Sequence, residues 1–324
     1  MKPEQQAAHT KPGILPGELP LFRFRLRFRA RERYEIRGYR GSAWRGVLGR
    51  ALKQLVCIRS DRDCRSCLVA KSCTYPYVFE TPGEIRGETG GLETAPHPYV
   101  LAAEPCWEPR MAEVETVEVT LFGGGVRAWA YVLHALQAGA ARGLGKERIP
   151  LSLTAAEQEG AKRDEWFSVL RSNGALAVAK ARTPTAPPVP EAVRIRFLTP
   201  LRIRRENDLV EPERLGFDEF VAAVLRRLAL VTRFHAEQPW QIDIPALNAL
   251  ARRALVLERE LGWQDWARYS NRQHRPVPMG GVVGQMTVAM AGMEELWPWL
   301  WLGQWTHAGK GTVMGLGRYE LEAL

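Results

Sequence analysis

Just past its midpoint this 324-residue chain reads Thr183-Pro184-Thr185-Ala186-Pro187-Pro188-Val189-Pro190. A stretch so rich in proline is extended and offers few N–H donors to a sheet, so no helix or strand runs through it. Two domains are expected, over residues 1–182 and 191–324, joined by a linker over 183–190.

The two halves read alike. Each opens on a strand in which arginine alternates with apolar residues. In the first, Phe22, Phe24, Leu26 and Phe28 point to one side and Arg23, Arg25, Arg27 and Arg29 to the other. In the second, Val193, Ile195 and Phe197 alternate with Arg194 and Arg196. Each half also closes alike. An apolar helical stretch leads into Gly143-Leu144-Gly145-Lys146 before a strand at 149–153, and into Gly315-Leu316-Gly317-Arg318 before one at 319–321. These matches point to an internal duplication. Between them, apolar spacing predicts helices over 42–56, 126–141, 217–234, 244–261 and 294–305, and strands over 115–122 and 281–290. Strand, helix, further strands, helix and last strand in each half is the order of a ferredoxin-like sandwich. The expected fold is therefore α+β, two tandem ferredoxin-like domains.

Four of the five cysteines, Cys57, Cys64, Cys67 and Cys73, fall in one short stretch with spacing C-x6-C-x2-C-x5-C. Four thiolates at this spacing reach one tetrahedral ion, and the tight C-x2-C chelate suits a structural zinc site. A metal knuckle inserted over 57–73 of the first domain is expected, structural because four thiolates leave no open position. The alternatives are free thiols or two disulfides. Cys106, alone, reads as a buried small hydrophobe. At 46% hydrophobic residues the composition is that of a globular protein. The start MKPEQQAAHTKPG has no apolar signal core, and the apolar runs break well short of a membrane span. A cytoplasmic protein is expected, which suits reduced thiols. The formal charge of +9 predicts attraction to polyanions.

Two segments carry candidate chemistry. In His307-Ala308-Gly309-Lys310-Gly311-Thr312-Val313-Met314-Gly315-Leu316-Gly317-Arg318, the glycines at 309, 311, 315 and 317 allow close backbone approach to a ligand, with Lys310 and Arg318 adding charge. The spacing is not that of a nucleotide P-loop. A phosphate-contacting loop and a merely tight turn both fit. In Arg268-Tyr269-Ser270-Asn271-Arg272-Gln273-His274-Arg275, arginines, an aromatic ring and amide and hydroxyl groups offer what single-stranded or hairpin RNA needs. A solvated loop has the same composition.

The Gly-Lys-Gly-Thr and Gly-Leu-Gly-Arg-Tyr ending, the Arg-Tyr-Ser-x-Arg-Gln stretch followed by Gly280-Gly281-Val282-Val283-Gly284, the region around Arg45, and the cysteine cluster running on to Tyr75-Pro76 and Phe79-Glu80 together resemble the CRISPR-associated repeat-processing endoribonucleases of the RAMP superfamily. The resemblance implies tandem ferredoxin-like domains acting on CRISPR repeat RNA. Its implied reaction is metal-independent: the ribose 2′-hydroxyl attacks the phosphate, giving a cyclic phosphate and a 5′-hydroxyl. The implied partners are the crRNA product and other CRISPR effector subunits, with no membrane. Such chemistry asks for a base, a proton donor and positive charge. The family often carries a histidine in or just before the first helix, where this chain has Tyr39, Arg40 and Ser42. His9 sits near the terminus, His134 reads as lying on an apolar helix face, His235 as capping a helix and His97 as part of a Pro-flanked loop. The expected catalytic group is therefore His307, for which a histidine that only closes the last helix is the alternative, with Lys310 holding the phosphate and His274 and Tyr39 in reserve. Arg40, Arg268, Tyr269, Ser270, Arg272, Gln273, the loop glycines and Arg318 are the expected RNA contacts. A non-cleaving RAMP subunit that only binds guide RNA is the alternative.

Overall fold

The structure is a computed structural model that describes residues 15–59, 61, 63–64, 66–81, 95–171, 174–206, 208–270 and 275–324. In the first half, β1 (Leu21–Ile36) is followed by α1 (Gly41–Val56), β2 (Tyr99–Ala103), β3 (Arg110–Phe122), α2 (Trp129–Ala141) and β4 (Leu151–Glu159), with β5 (Trp166–Ser168) added at the edge. The second half contains β6 (Ala192–Leu201), a small hairpin of β7 (Arg204–Arg205) and β8 (Asp208–Leu209), α3 (Phe217–His235), α4 (Ile244–Ala251) and β9 (Val256–Gln264). It continues with the hairpin β10 (Ala267–Ser270) and β11 (Arg275–Pro278), then β12 (Gly281–Ala289), α5 (Trp297–Thr306) and β13 (Tyr319–Ala323).

The first sheet has the order β2-β3-β1-β4-β5 and the second β13-β6-β12-β9. Read from the same end, β9-β12-β6-β13 repeats β2-β3-β1-β4, so both halves are ferredoxin-like βαββαβ units with antiparallel neighbours. The β1 alternation decides which face is which. Phe24, Leu26 and Phe28 are buried against α1 and α2, whose inward faces supply Trp44, Leu48, Leu52, Val132 and Leu136. On the opposite face Arg25 meets Glu157 at 2.9 Å and Arg29 meets Glu113 at 2.7 Å, so acids from neighbouring strands neutralise the arginine stripe.

One expected element was different. The helix expected over 244–261 ends at Ala251, and Val256–Gln264 is instead the edge strand β9, paired with β12 from Gly281↔Gln264 to Val288↔Val256. The apolar residues Leu255, Val256, Leu257 and Leu261 suit either period, and pairing with β12 selects the strand. As befits an edge, Leu255 and Leu257 remain exposed. The first-half closing strand likewise begins at Leu151 and runs further than expected, to Glu159.

The two cores interlock. Met279, Met314 and Leu316 from the second half are buried in the core of the first, while Leu21, Val100 and Phe122 from the first pack into that of the second. The proline-rich segment lies against both: Leu19 N–H donates to Thr183 Oγ1 at 2.8 Å, and Trp297 Nε1–H to Pro187 O at 2.7 Å. Among the described residues, no helix is long and apolar enough to cross a membrane.

Candidate functional site

The glycine-rich loop joins α5 to β13 and fastens the second half onto the first. It begins at His307, with φ 59, and its glycines 309, 311, 315 and 317 have φ 75, 84, 84 and 66. Most of its N–H groups turn inward. Lys310 N–H donates to Arg202 O at 2.9 Å, Leu316 to Gly311 O at 3.3 Å, Gly317 to Pro200 O at 3.0 Å and Arg318 to Thr199 Oγ1 at 2.9 Å. These groups are therefore not free to cradle a phosphate. The loop's glycines serve close packing instead: a Cβ on Gly315 would stand 2.0 Å from Tyr39 Oη and 2.4 Å from Leu101 O.

Facing the loop is the start of α1. Its first residue, Gly41, lies so close that a Cβ there would meet Met314 O at 1.9 Å. Tyr39 is buried, with Trp107 stacked at 6.1 Å and the edge of Trp266 at 5.4 Å. Burial pushes its hydroxyl pKa well above the usual tyrosine value, so it holds its proton. Arg40 is held from behind: its Nη2 lies 3.1 Å from Glu115 Oε1. Glu115 is itself a buried carboxylate, accepting from Trp44 Nε1 at 3.1 Å and from the Tyr34 hydroxyl.

Beside this seam stand cations without acids. Arg45, on α1, lays its guanidinium over the Phe79 ring at 4.3 Å, and its buried Nε has no hydrogen-bond partner. Arg268, on β10, has a buried and unpartnered Nε too. Burial, then the nearby Arg45 charge, lowers the Arg268 pKa. Lys310 is exposed, and burial of part of its stem, then Arg204 and Arg202, lowers its pKa. Among the described residues no carboxylate forms an ion pair with Arg45, Arg202, Arg204, Arg268 or Lys310. Arg45 with Arg268, and Lys310 with Arg202 and Arg204, thus form two like-charged groups, and like charges so placed repel one another and favour an anion between them.

The structure sorts the expected residues. Arg268 and Lys310 stand at the junction, as does Arg40, although it is tied to Glu115. Arg318 is committed across the domain seam, with Nη2 3.4 Å from Glu320 and 3.7 Å from Glu118. Tyr269 and Ser270 lie on β10, while Arg272, Gln273 and His274 fall outside the described residues. His307 is buried, Nδ1 lying 3.2 Å from Leu316 O, and burial, followed by the Arg318 charge, holds its pKa well below the usual histidine value. A neutral ring enclosed in this way holds the loop; meeting substrate would require the loop to open. Two other histidines differ from expectation. His134 is exposed, and the His235 ring is buried, 3.2 Å from Tyr77 Oη and 2.6 Å from Pro96 O. Arg45, Arg202 and Arg204 were missed as site residues, because in sequence nothing separates them from the many arginines that pair with acids.

Cys106 is buried as expected, and all five cysteines are free thiols. Cys57, Cys64, Cys67 and Cys73 line one small void together. Among the described residues, no group of three or more His, Cys, Asp or Glu side chains is already arranged to hold a metal ion.

Comparison with known proteins follows the same division into halves. Residues 19–183, about half of the chain, match the family model AF_1859_N, described as an N-terminal domain. Residues 195–319, carrying α3, the β10–β11 hairpin and the glycine-rich loop, match the family CRISPR-associated endoribonuclease Cas6. The second half of this chain thus carries a match to a Cas6 endoribonuclease domain. That match supports a CRISPR-associated endoribonuclease acting on CRISPR precursor RNA. No curated protein matches it in sequence. Among solved structures it is similar to the Cas6 (TTHB231) product complex, at 16% identity over 94% of this chain and 99% of that one, TM-score 0.57. The Thermus thermophilus Cas6 (TTHB231) structure gives 15% identity over 94% and 99%, TM-score 0.54. A partial Cas6-RT-Cas1–Cas2 complex gives 14% identity over 95% of this chain and 47% of that one, TM-score 0.56. At these identities the likeness is one of fold.

Proposed function

We propose that this protein acts as a Cas6-type endoribonuclease that binds CRISPR repeat RNA across the seam between α1, the glycine-rich loop and the β10–β11 hairpin, and cuts it there without a catalytic metal. The pair Arg45 and Arg268 carries the reading: two partly buried cations, near enough for one to depress the other's pKa and in no ion pair with a carboxylate among the described residues, suit a phosphate. The solved Cas6 (TTHB231) was captured as a product complex, and another neighbour is part of a Cas6-RT-Cas1–Cas2 assembly. By analogy this chain holds its crRNA product and meets other CRISPR proteins.

In the proposed step the ribose 2′-oxygen attacks phosphorus and the P–O5′ bond breaks, leaving a 2′,3′-cyclic phosphate and a 5′-hydroxyl. Arg45 and Arg268 offset the extra charge of the phosphorane. Lys310, its pKa lowered by burial and the Arg204 and Arg202 charges, gives its proton to the departing 5′-oxygen. Removal of the 2′-hydroxyl proton is assigned to His274, on its sequence position between β10 and β11. His307 and Tyr39 act as positioning residues that fix the loop against α1.

The test is cleavage of the cognate repeat RNA in EDTA. Wild type is expected to cut one site, and a 2′-deoxy nucleotide there to abolish cutting. Lys310→Arg keeps the charge but donates its proton poorly, so it should bind normally and cut about 10²-fold more slowly. Arg45→Ala and Arg268→Ala should weaken binding and rate together. Cutting of the deoxy substrate would refute the mechanism; tight binding with no cutting by wild type would favour a guide-holding subunit.

A further inference from the structure

The cysteine-bearing connection between α1 and Pro76 has little to hold it in shape. Among its described residues the backbone hydrogen bonds reach only three or four positions along the chain: Cys67 N–H to Cys64 O at 3.4 Å, Ala70 to Cys67 O at 3.1 Å, Cys73 to Ala70 O at 3.4 Å. Its apolar side chains do not form a core, since Ile58 is 85% and Leu68 99% exposed. Yet this connection delivers the helical turn Pro76–Glu80 to a demanding place. There Phe79 lies under the Arg45 guanidinium and Tyr77 meets His235 of α3. Short segments that cannot bury a core are commonly fixed by a cross-link or a metal.

The four thiols supply the means. Cys57, Cys64, Cys67 and Cys73 all line one void of about 20 Å³, room for a single water-sized sphere, closed by Val56, Tyr75 and Pro76. None of the four is in a disulfide. Arg59 lines the same void, and the Lys53 ammonium stands 4.9 Å from the Tyr75 ring that closes it. The Lys53 ammonium suits the double negative charge of four thiolates around a divalent ion, while the Arg59 guanidinium is already paired with Asp61.

We infer that these four cysteines bind one structural zinc ion, which fixes the connection and, through it, the Pro76–Glu80 turn between the two domains. The thiolates close onto the ion as it binds, releasing their protons to solvent. With four sulfur ligands the ion has no open position and takes no part in cleavage. The inference therefore stands or falls apart from the RNA reading.

The experiment uses the full chain, purified in reductant without added metal, and needs no RNA. Elemental analysis should find about one zinc per chain, released by a thiol-blocking mercurial. Exchange with Co²⁺ should give the thiolate-to-cobalt charge-transfer and tetrahedral ligand-field bands. Cys64→Ser combined with Cys67→Ser should lose both metal and bands; should that variant not fold, the cobalt spectrum of the wild type decides. Protein with no stoichiometric metal, iron with acid-labile sulfide, or cobalt bound without thiolate bands would each overturn the inference.

Discussion

The His97 ring stacks against Phe79 and Tyr99, and its Nδ1 lies 2.8 Å from Thr81 Oγ1. Burial, followed by the Arg45, Arg227 and His235 charges, lowers its pKa to about 3. A histidine whose folded pKa is depressed binds fewer protons folded than unfolded. Its contribution is fully present above the unfolded value of about 6.5 and is lost as pH falls toward the folded one. From this ring alone, stability is expected to drop by about 2 kcal/mol between pH 6.5 and about pH 5. Calorimetric melting of wild type and His97→Gln over this range checks it, the variant giving a flatter profile; parallel profiles would place the acid sensitivity elsewhere. Histidine roles were poorly legible in the sequence because they depend on enclosure. The catalytic expectation for His307 came from its neighbours in the chain, whereas the fold buries its ring and ties it to Leu316 O. The same holds for Tyr39, which stands beside Arg40 in sequence but faces inward between two tryptophans.

The glycine-rich loop is the element on which both halves depend. Gly315 combines positive φ with a Cβ position inside Tyr39 and Leu101, whereas Gly292, at φ 74, has nothing within 4 Å. Gly292→Ala therefore meets only backbone strain, about 1 kcal/mol. Gly315→Ala must also push the loop off α1, and is expected to cost about 2–4 kcal/mol and to slow cleavage. Denaturant midpoints of the two variants measure the difference; equal midpoints would mean that the loop gives way freely. Much at this scale was legible beforehand. The arginine-apolar alternation of β1, the helical spacing of α1 and the paired Gly-Leu-Gly turns each have a local cause, so both ferredoxin-like units could be read from their ends. The strand β9 could not, because its partner β12 lies beyond an intervening hairpin. Nor could the contact of Gly315 with Tyr39, which joins residues nearly a whole chain apart.

At the scale of the whole molecule the charge of +9 overstates the surface offered to RNA. The β1 stripe is neutralised: buried Arg23 alone meets Glu118 and Glu159 at 2.7 Å and Asp164 at 3.0 Å. Among the described residues, Arg45, Arg202, Arg204, Arg268 and Lys310 form no ion pair with an acid and are open to RNA in this reading. If each meets one phosphate of single-stranded RNA, the logarithm of the binding constant should fall with that of salt at a slope of about −3 to −4. Filter binding across a salt series measures it. Arg45→Ala should make the slope shallower, and Arg27→Ala, whose guanidinium lies 3.3 Å from Glu157, should leave it unchanged; equal effects would return the β1 stripe to the RNA surface. The seam also carries an optical reporter. The indole N–H of Trp305, on α5, donates to Glu159 Oε2, on β4, at 2.5 Å, and its ring is buried beside Trp301. Parting of the two domains would wet that indole and redden its emission. The difference spectrum between wild type and Trp305→Phe would therefore follow, without any added label, how tightly the halves stay closed as RNA arrives and leaves.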